Sequence, residues 1–331
     1  MTDPIYLDNQ ATTPTDPRVL DAMLPLLTVG SVGDPHSEHV AGRRAKSAVE
    51  NAREQVAKLI GARPEEVIFT SGATEANNLA LQGIARSPDR RGNHIVTCPT
   101  EHKCVLETMS YLGRHGFRVE VSPVDSFGLV DVESMSAMML DDTSLVSIMM
   151  ANNEIGVLQP IAEIAAVCQS RGIVFHSDAA QAVGKIPVDV KALGVDLMSL
   201  SGHKLYAPIG IGALYVSDEC PMIPEPVSFG GGQERGIRSG TISPVLCVAL
   251  GAAAAIATLQ GGYKIVRCIL LFEEDGETPI SRGGYKDCER RHCRVTMERP
   301  RFRGVVTRRR SGDCCRRVME RPSFRGVVKT I

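Results

Sequence analysis

Apolar positions in the first 260 residues follow two rhythms. Ala41, Ala45, Ala48, Val49, Ala52, Val56, Leu59 and Ile60 recur every three or four positions and share one helical face. Gly61 follows, suited to the left-handed residue that closes a helix. Elsewhere the pattern tightens into short, nearly continuous apolar runs at Glu66–Thr70, His94–Cys98, Ser144–Met150, Ile173–His176, Asp196–Leu200 and Gly212–Val216. Such runs are the mark of strands covered on both faces. Helices are predicted near His102–Arg114, Pro160–Ser170 and Pro244–Leu259, between or after those strands. Alternation of this kind predicts an α/β fold: a mostly parallel sheet with helices on both sides.

The pattern stops near residue 260. Residues 261–331 hold 18 Lys and Arg against 9 Asp and Glu, whereas residues 1–260 hold 19 against 29. The overall net charge of −1 therefore hides a basic segment behind an acidic one. Met297-Glu298-Arg299-Pro300-Arg301-Phe302-Arg303-Gly304-Val305-Val306 returns, with one change, as Met319-Glu320-Arg321-Pro322-Ser323-Phe324-Arg325-Gly326-Val327-Val328. Two copies are too few for a solenoid. The expected organisation is a large domain over residues 1–260 and a divergent basic tail over 261–331, disordered or frame-shifted. No basic leader with an apolar run and no bilayer-length stretch is visible, so the expectation is a soluble, cytoplasmic protein without a membrane partner. The basic tail lacks a nucleic-acid motif or aromatic platform, so no nucleic-acid partner is expected. The ten cysteines are scattered and show no zinc spacing, so no metal is expected.

Polar clusters follow the predicted strands. Thr70-Ser71-Gly72-Ala73-Thr74-Glu75 sits between a strand and a helix, where small residues and a helix N-terminus favour an anion. An ordinary helix cap with a tight turn accounts for it equally well. His102, in Glu101-His102-Lys103, has the chemistry of a proton shuttle or of a structural residue at a strand–helix junction. Asn152-Asn153-Glu154 offers amides at a strand end, and Asn also favours turns. Asp178-Ala179-Ala180-Gln181 and Ser201-Gly202-His203-Lys204 are the most informative pair. An Asp ending one strand and a Lys following another can hold the two ends of a pyridoxal ring, the carboxylate at the ring nitrogen and the amine at the aldehyde as a Schiff base. All these clusters stand at carboxyl ends of strands, which converge on one crevice in such a sheet.

Seven motifs, in order, resemble those of the cysteine desulfurases of the iron–sulfur cluster assembly type, in the aminotransferase class V group of fold-type I enzymes using pyridoxal 5′-phosphate (PLP). They are Tyr6–Pro14, Ser71–Glu75, Thr100–Lys103, Asn152–Gly156, Asp178–Gln181, Ser201–Lys204 and Arg235–Thr241, and the likeness covers about residues 4–260. The resemblance implies a homodimer acting on L-cysteine. It implies that Lys204 holds the cofactor aldehyde, Asp178 the ring nitrogen and Gln181 the phenolic oxygen. His102 would stack on the ring and move protons. Ala73 (backbone), Thr74, Ser201 and His203 would hold the phosphate, with Thr241 reaching it from the partner subunit, and Asn153 would help hold cofactor and substrate. L-Cysteine would become L-alanine, its sulfur passing through an enzyme persulfide to an iron–sulfur scaffold or other sulfur acceptor protein.

Two parts of that pattern have no counterpart here. The Ser/Gly/Ala-rich loop bearing the persulfide cysteine is missing, and so is the Arg that clamps the substrate carboxylate beyond it. The family's small C-terminal domain is expected to be absent or replaced. Cys268, Cys288, Cys293, Cys314 and Cys315 lie in unrelated surroundings, while Cys98, Cys104, Cys168, Cys220 and Cys247 read as core or surface residues. The expectation is an impaired desulfurase. Selenocysteine lyase or another class V lyase, and an inactive dimer partner, are the alternatives.

Overall fold

The computed structural model describes residues 6–28, 33–260, 294–297 and 306–309. The chain divides into two compact units, Asp8–Lys264 in one and Met1–Leu7 with Ile265–Ile331 in the other. In the second, β8 (Arg294–Met297) pairs antiparallel with β9 (Val306–Arg309). The expectations for the rest of the tail, and for a missing small domain, lie outside the described residues.

The larger unit is a seven-stranded sheet whose strands run in the order β1-β7-β6-β5-β4-β2-β3. The strands are β1 (Val67–Thr70), β2 (His94–Thr97), β3 (Arg118–Val121), β4 (Thr143–Ser147), β5 (Val174–Asp178), β6 (Leu197–Ser201) and β7 (Gly212–Val216). Pairing from β3 through β2, β4 and β5 to β6 is parallel. Strand β7 runs antiparallel to both β6 and β1. Two reversals restore the direction, so β1 points the same way as the parallel strands. The carboxyl ends of β1, β2, β4, β5 and β6 therefore share one edge.

Side chains alternate across the sheet. Val67, Phe69, Val146, Phe175, Met198 and Tyr215 enter a core with α1 (Pro17–Leu27), α2 (Val40–Ile60), α5 (Val132–Met138), α6 (Ile161–Ser170), α7 (Val190–Leu193) and α8 (Pro244–Gln260). Ile68, Leu145, Val174, Leu197 and Leu214 enter a second core with α3 (Ala73–Arg86) and α4 (Lys103–Arg114). Both faces are covered, as the continuous apolar runs require. No helix among the described residues is long and apolar enough to cross a membrane.

Differences from the sequence reading have local causes. Glu66, expected to open β1, ends a single 3-10 turn, Pro64–Glu66; its buried carboxylate accepts from Arg63 N–H at 2.8 Å and pairs with Lys191 at 2.7 Å. The run expected to reach Met150 leaves regular pairing after Ser147, although Ile148 and Met150 still donate backbone bonds to His176 and Asp178. Strand β3 has no apolar run because it lies at the sheet edge, where Arg118 and Val121 are exposed. Helix α1 was also unannounced: Asp16 caps it by accepting from Arg18 N–H at 2.9 Å, and Pro17 opens it.

Two buried features make testable contributions to stability. Helix α8 packs on α2 where it has no side chain: a Cβ on Gly251 would stand 2.6 Å from Ala52 Cα. Ala at a helix interior ordinarily gains about 1 kcal/mol over Gly. Here Gly251→Ala should instead lower the melting temperature, because overpacking costs about 1–3 kcal/mol. His176, fully buried in β5, bonds Ser147 Oγ through Nδ1 at 2.9 Å and Ser199 Oγ through Nε2 at 3.0 Å. Burial pushes its pKa down to about 3, so the folded ring stays neutral while the unfolded one takes a proton below about 6.5. Stability from this group is complete above that value and is lost as pH falls from there toward 3, by about 1.4 kcal/mol per pH unit. Buried carboxylates such as Asp196, raised to about 6 by burial, slope the opposite way. The comparison is therefore between proteins: denaturant unfolding from pH 6 to 4 should show a slope shallower by about that amount in His176→Gln than in the parent. Equal slopes would remove His176 from the account.

Candidate active site at the carboxyl edge of the sheet

The turn from β1 into α3 is built to leave backbone donors open. Gly72 stands at the N-cap with φ +151, and no side chain caps the helix. Ala73 and Thr74 thus begin α3 with amides that lack capping partners. A Cβ on Gly72 would meet nothing within 4 Å, so the approach from that side is clear. Behind the turn the packing is tight: a Cβ on Gly212 would lie 2.7 Å from Gly72 Cα and 2.5 Å from Leu200 O. Glycine at 212 is what lets the β1–α3 turn settle against β7.

Glu75 and Arg238 hold that turn in place. Glu75 accepts from Ser71 N–H at 2.5 Å and from Arg238 Nε at 2.8 Å. Burial alone would raise the Glu75 pKa, but the bonds from Arg238 and Ser71 outweigh it and hold the carboxyl below its usual range. The segment carrying Arg238 is itself pinned to β1. Buried Glu234 accepts from Phe69 N–H and from Arg53 Nη1, both at 2.7 Å. Glu234 and Arg235 adopt left-handed backbone at φ +47 and +58, a strained geometry that the buried ion pair helps to hold. Thr241 follows Gly240 and is exposed.

Lys204 ends a 3-10 turn, Gly202–Lys204, immediately after β6. Burial lowers the pKa of its amine, partly offset by the charges of Asp178 and Asp8. Asp178 closes β5 and is nearly buried; Oδ1 accepts from Ala180 N–H at 2.9 Å and Oδ2 from Asn77 Nδ2 at 2.7 Å. Ser201, the last residue of β6, is buried with no hydrogen-bond partner for its Oγ among the described residues. His203 Nδ1 lies 3.1 Å from Thr12 Oγ1, and its carbonyl accepts from Thr13 N–H at 2.8 Å. Burial first, then Lys204 and Lys185, lowers the His203 pKa. Gln181 donates from Nε2 to Gln10 O at 2.8 Å and accepts from Lys185 Nζ. Lys185 is pushed down to about 8 by burial, with the Lys204 charge adding to it.

His102 caps α4 by accepting from Cys104 N–H at Nδ1, 3.2 Å away. Of the paired amides, Asn152 is spent on its own turn: Oδ1 accepts from Glu154 and Ile155 N–H, and Nδ2 donates to Thr100 O. Asn153, beside it, is half-buried. The sequence reading passed over Asn77 and Lys185. Asn77 was legible only as part of Ala73–Asn78, one turn behind the phosphate-like cradle; Lys185 stands four residues after Gln181 with no motif to mark it. Cys104, read as a core or surface thiol, instead lies in the site, 3.0 Å from His102 Nδ1. A cavity of about 730 Å³ also opens between α2 and the Glu234 loop, lined by Arg43, Lys46, Arg53, Glu65, Glu234 and Arg235; none of the candidate site residues lines it.

A buried hydroxyl lacking a partner, open amides at a helix N-terminus, a carboxylate and an amine of lowered pKa suit a phosphorylated, aldehyde-bearing ring with a basic nitrogen. Comparison with known proteins agrees. The aminotransferase class-V family model matches residues 5–267. A mitochondrial cysteine desulfurase of Drosophila melanogaster is 56% identical over 261 residues, covering 78% of this chain and 56% of the relative. A cysteine desulfurase of Mus musculus is 55% identical over 271 residues, covering 82% of this chain and 59% of the relative. The chain thus spans less than two thirds of the length of these relatives. Among solved structures, a NifS-like protein superposes with a TM-score of 0.75 at 42% identity, over 78% of this chain and 70% of that one.

The expected cytoplasmic location is overturned. The Drosophila relative, and others from Arthroderma benhamiae and Dictyostelium discoideum at 58% and 55% identity, are named as mitochondrial, which points to mitochondria. The absence of a visible leader was the wrong ground for that expectation, because the chain matches only part of its relatives. Pyridoxal 5′-phosphate is the cofactor of this group, and the residues at the sheet edge fit it. By its matched length and its fold, the chain belongs to the aminotransferase class-V family.

Proposed function

We propose that this chain carries the cofactor-binding part of a cysteine desulfurase, which takes L-cysteine to L-alanine and passes the sulfur to a thiol for iron–sulfur cluster assembly. The observation that supports this most is the meeting of Lys204, Asp178 and the uncapped N-terminus of α3 at one sheet edge. Names of relatives narrow the reaction class, and a solved structure of SspA in complex with cysteine superposes with a TM-score of 0.73 at 35% identity.

In this reading Lys204 holds the cofactor aldehyde and Asp178 keeps a proton on the ring nitrogen. The Ala73 and Thr74 amides, the Thr74 hydroxyl, Ser201 and His203 hold the phosphate. Gln181 faces the phenolic oxygen, and Asn153 orients cofactor and substrate. The bound cofactor supplies an electron sink that lets the substrate lose its α-proton. His102 moves protons at the site. In a homodimer, Thr241, exposed on a loop anchored by Arg53 and Glu234, would reach the phosphate of the partner subunit.

Sulfur transfer requires a thiolate acceptor. Among the described residues every thiol is held protonated by burial: Cys98, Cys168 and Cys220 are pushed up to about 12, and Cys104 and Cys247 are also raised. The reading therefore separates cofactor binding from turnover. Supplied with PLP and reduced with borohydride, the protein should carry a label that peptide mapping places on Lys204, and Lys204→Ala should lose it. A folded protein with no label at that lysine would end this reading. With L-cysteine and dithiothreitol, alanine and sulfide should form at least about 100-fold more slowly than with the mouse relative. Gly212→Val, which drives a side chain into the back of the β1–α3 turn, should weaken PLP binding by about ten-fold or more in a fluorescence titration. Unchanged affinity would show that the turn is not the phosphate cradle.

A further inference from the structure

Asn77 stands on α3, one turn beyond the cradle, and is fully buried. Its Nδ2 donates to Asp178 Oδ2 at 2.7 Å and to Cys104 Sγ at 3.1 Å. An ionised carboxylate only accepts, so Asp178 fixes which way the amide faces. Cys104 then meets His102, with Sγ 3.0 Å from Nδ1 and its backbone N–H donating to the same nitrogen at 3.2 Å. A neutral ring whose Nδ1 accepts an N–H carries its own proton on Nε2. The thiol is the group left to donate along the Sγ–Nδ1 line. Burial, and next the Asp178 charge, raise the pKa of Cys104, so that S–H persists at neutral pH.

Packing alone does not explain Asn77. Its Oδ1 is buried with no partner among the described residues, which is destabilising, and an apolar side chain of similar size would avoid that. What the amide does supply is two donors, one to each neighbour.

We infer that Asn77 and Cys104 are positioning residues. One continuous run of contacts, Asp178–Asn77–Cys104–His102, orients the carboxylate and fixes His102 as the Nε2–H tautomer. Asp178 thereby keeps each oxygen on a fixed donor while retaining lone pairs for a ring N–H. His102 in its neutral form donates from Nε2, and it can gain a proton only at Nδ1 by giving up the contacts with Cys104. This rests on the reading that Asp178 and His102 serve a bound PLP, but the tautomer is a property of the cofactor-free chain.

That separation sets the experiment. Two-bond 1H–15N spectra of histidine-labelled, cofactor-free protein at pH 8, with His102 assigned by His102→Gln, should show the Nε2–H form. Cys104→Ala should raise the Nδ1–H share at least three-fold, and Cys104→Ser, which keeps a donor, should restore the parent spectrum. An Nδ1–H ring in the parent, or no change in Cys104→Ala, overturns the inference for Cys104 whether or not PLP binds. For Asn77, Asn77→Leu should shift the visible absorption maximum of the PLP-loaded protein and weaken PLP binding about ten-fold. Asn77→Ser, smaller and polar, should do the same to spectrum and affinity if the leucine variant does not fold. Parent-like spectrum and affinity in the folded variants overturn the role of Asn77. Failure of the parent itself to bind PLP would sink the proposed function and leave the tautomer result standing.

Discussion

Everything at the candidate site depends on strand direction. Because β7 reverses between β6 and β1, the carboxyl end of β1 comes to the same edge as those of β2, β4, β5 and β6. Five separate stretches of chain then bring an uncapped helix start, an imidazole, an amide pair, a carboxylate and an amine to one edge of the sheet. Had only one of the two β7 pairings been antiparallel, the uncapped start of α3 would face the opposite edge from Lys204. The close backbone contact of Gly212 with Gly72 is what makes the reversal compact enough for the turn to sit beside Ser201.

Burial then sets the electrostatics. The lowered amine of Lys204, the lowered imidazole of His203 and the lowered amine of Lys185 have the same leading cause, removal of a cation from water. The cationic groups also oppose one another, and Asp178 is the nearby anion that offsets this at Lys204. An anionic ligand with a phosphate would relieve the same repulsion, which is the physical link between the cradle and the amine. At the thiols the same burial works against chemistry, keeping them protonated and away from the role of sulfur acceptor.

A second layer of residues holds the first. The Arg53–Glu234 ion pair holds the left-handed backbone of Glu234 and Arg235 and pins the loop carrying Arg238 and Thr241. Arg238 in turn ties Glu75, and through it Ser71, to that loop. Thr12 and Thr13 fasten the amino-terminal segment to His203, and Gln10 does the same for Gln181. The cradle and the amine are thus fixed by contacts that span most of the length of the larger unit.

The sequence by itself determined the strands and helices with strong periodicity, because burial on one or two faces leaves a regular apolar imprint. It also nominated residues for chemistry, because each stands in a short motif after such a strand. It missed β3, where edge exposure erased the imprint, and α1, whose start is marked only by Asp16 and Pro17. Tertiary structure alone decided what those residues touch. Asn152 turned out to serve its own turn, while Asn77 and Cys104, on different helices, met between Asp178 and His102. Periodicity records which side of an element is buried, whereas hydrogen-bond partners depend on distances between elements far apart in the chain, and those exist only once the sheet has brought its strands together.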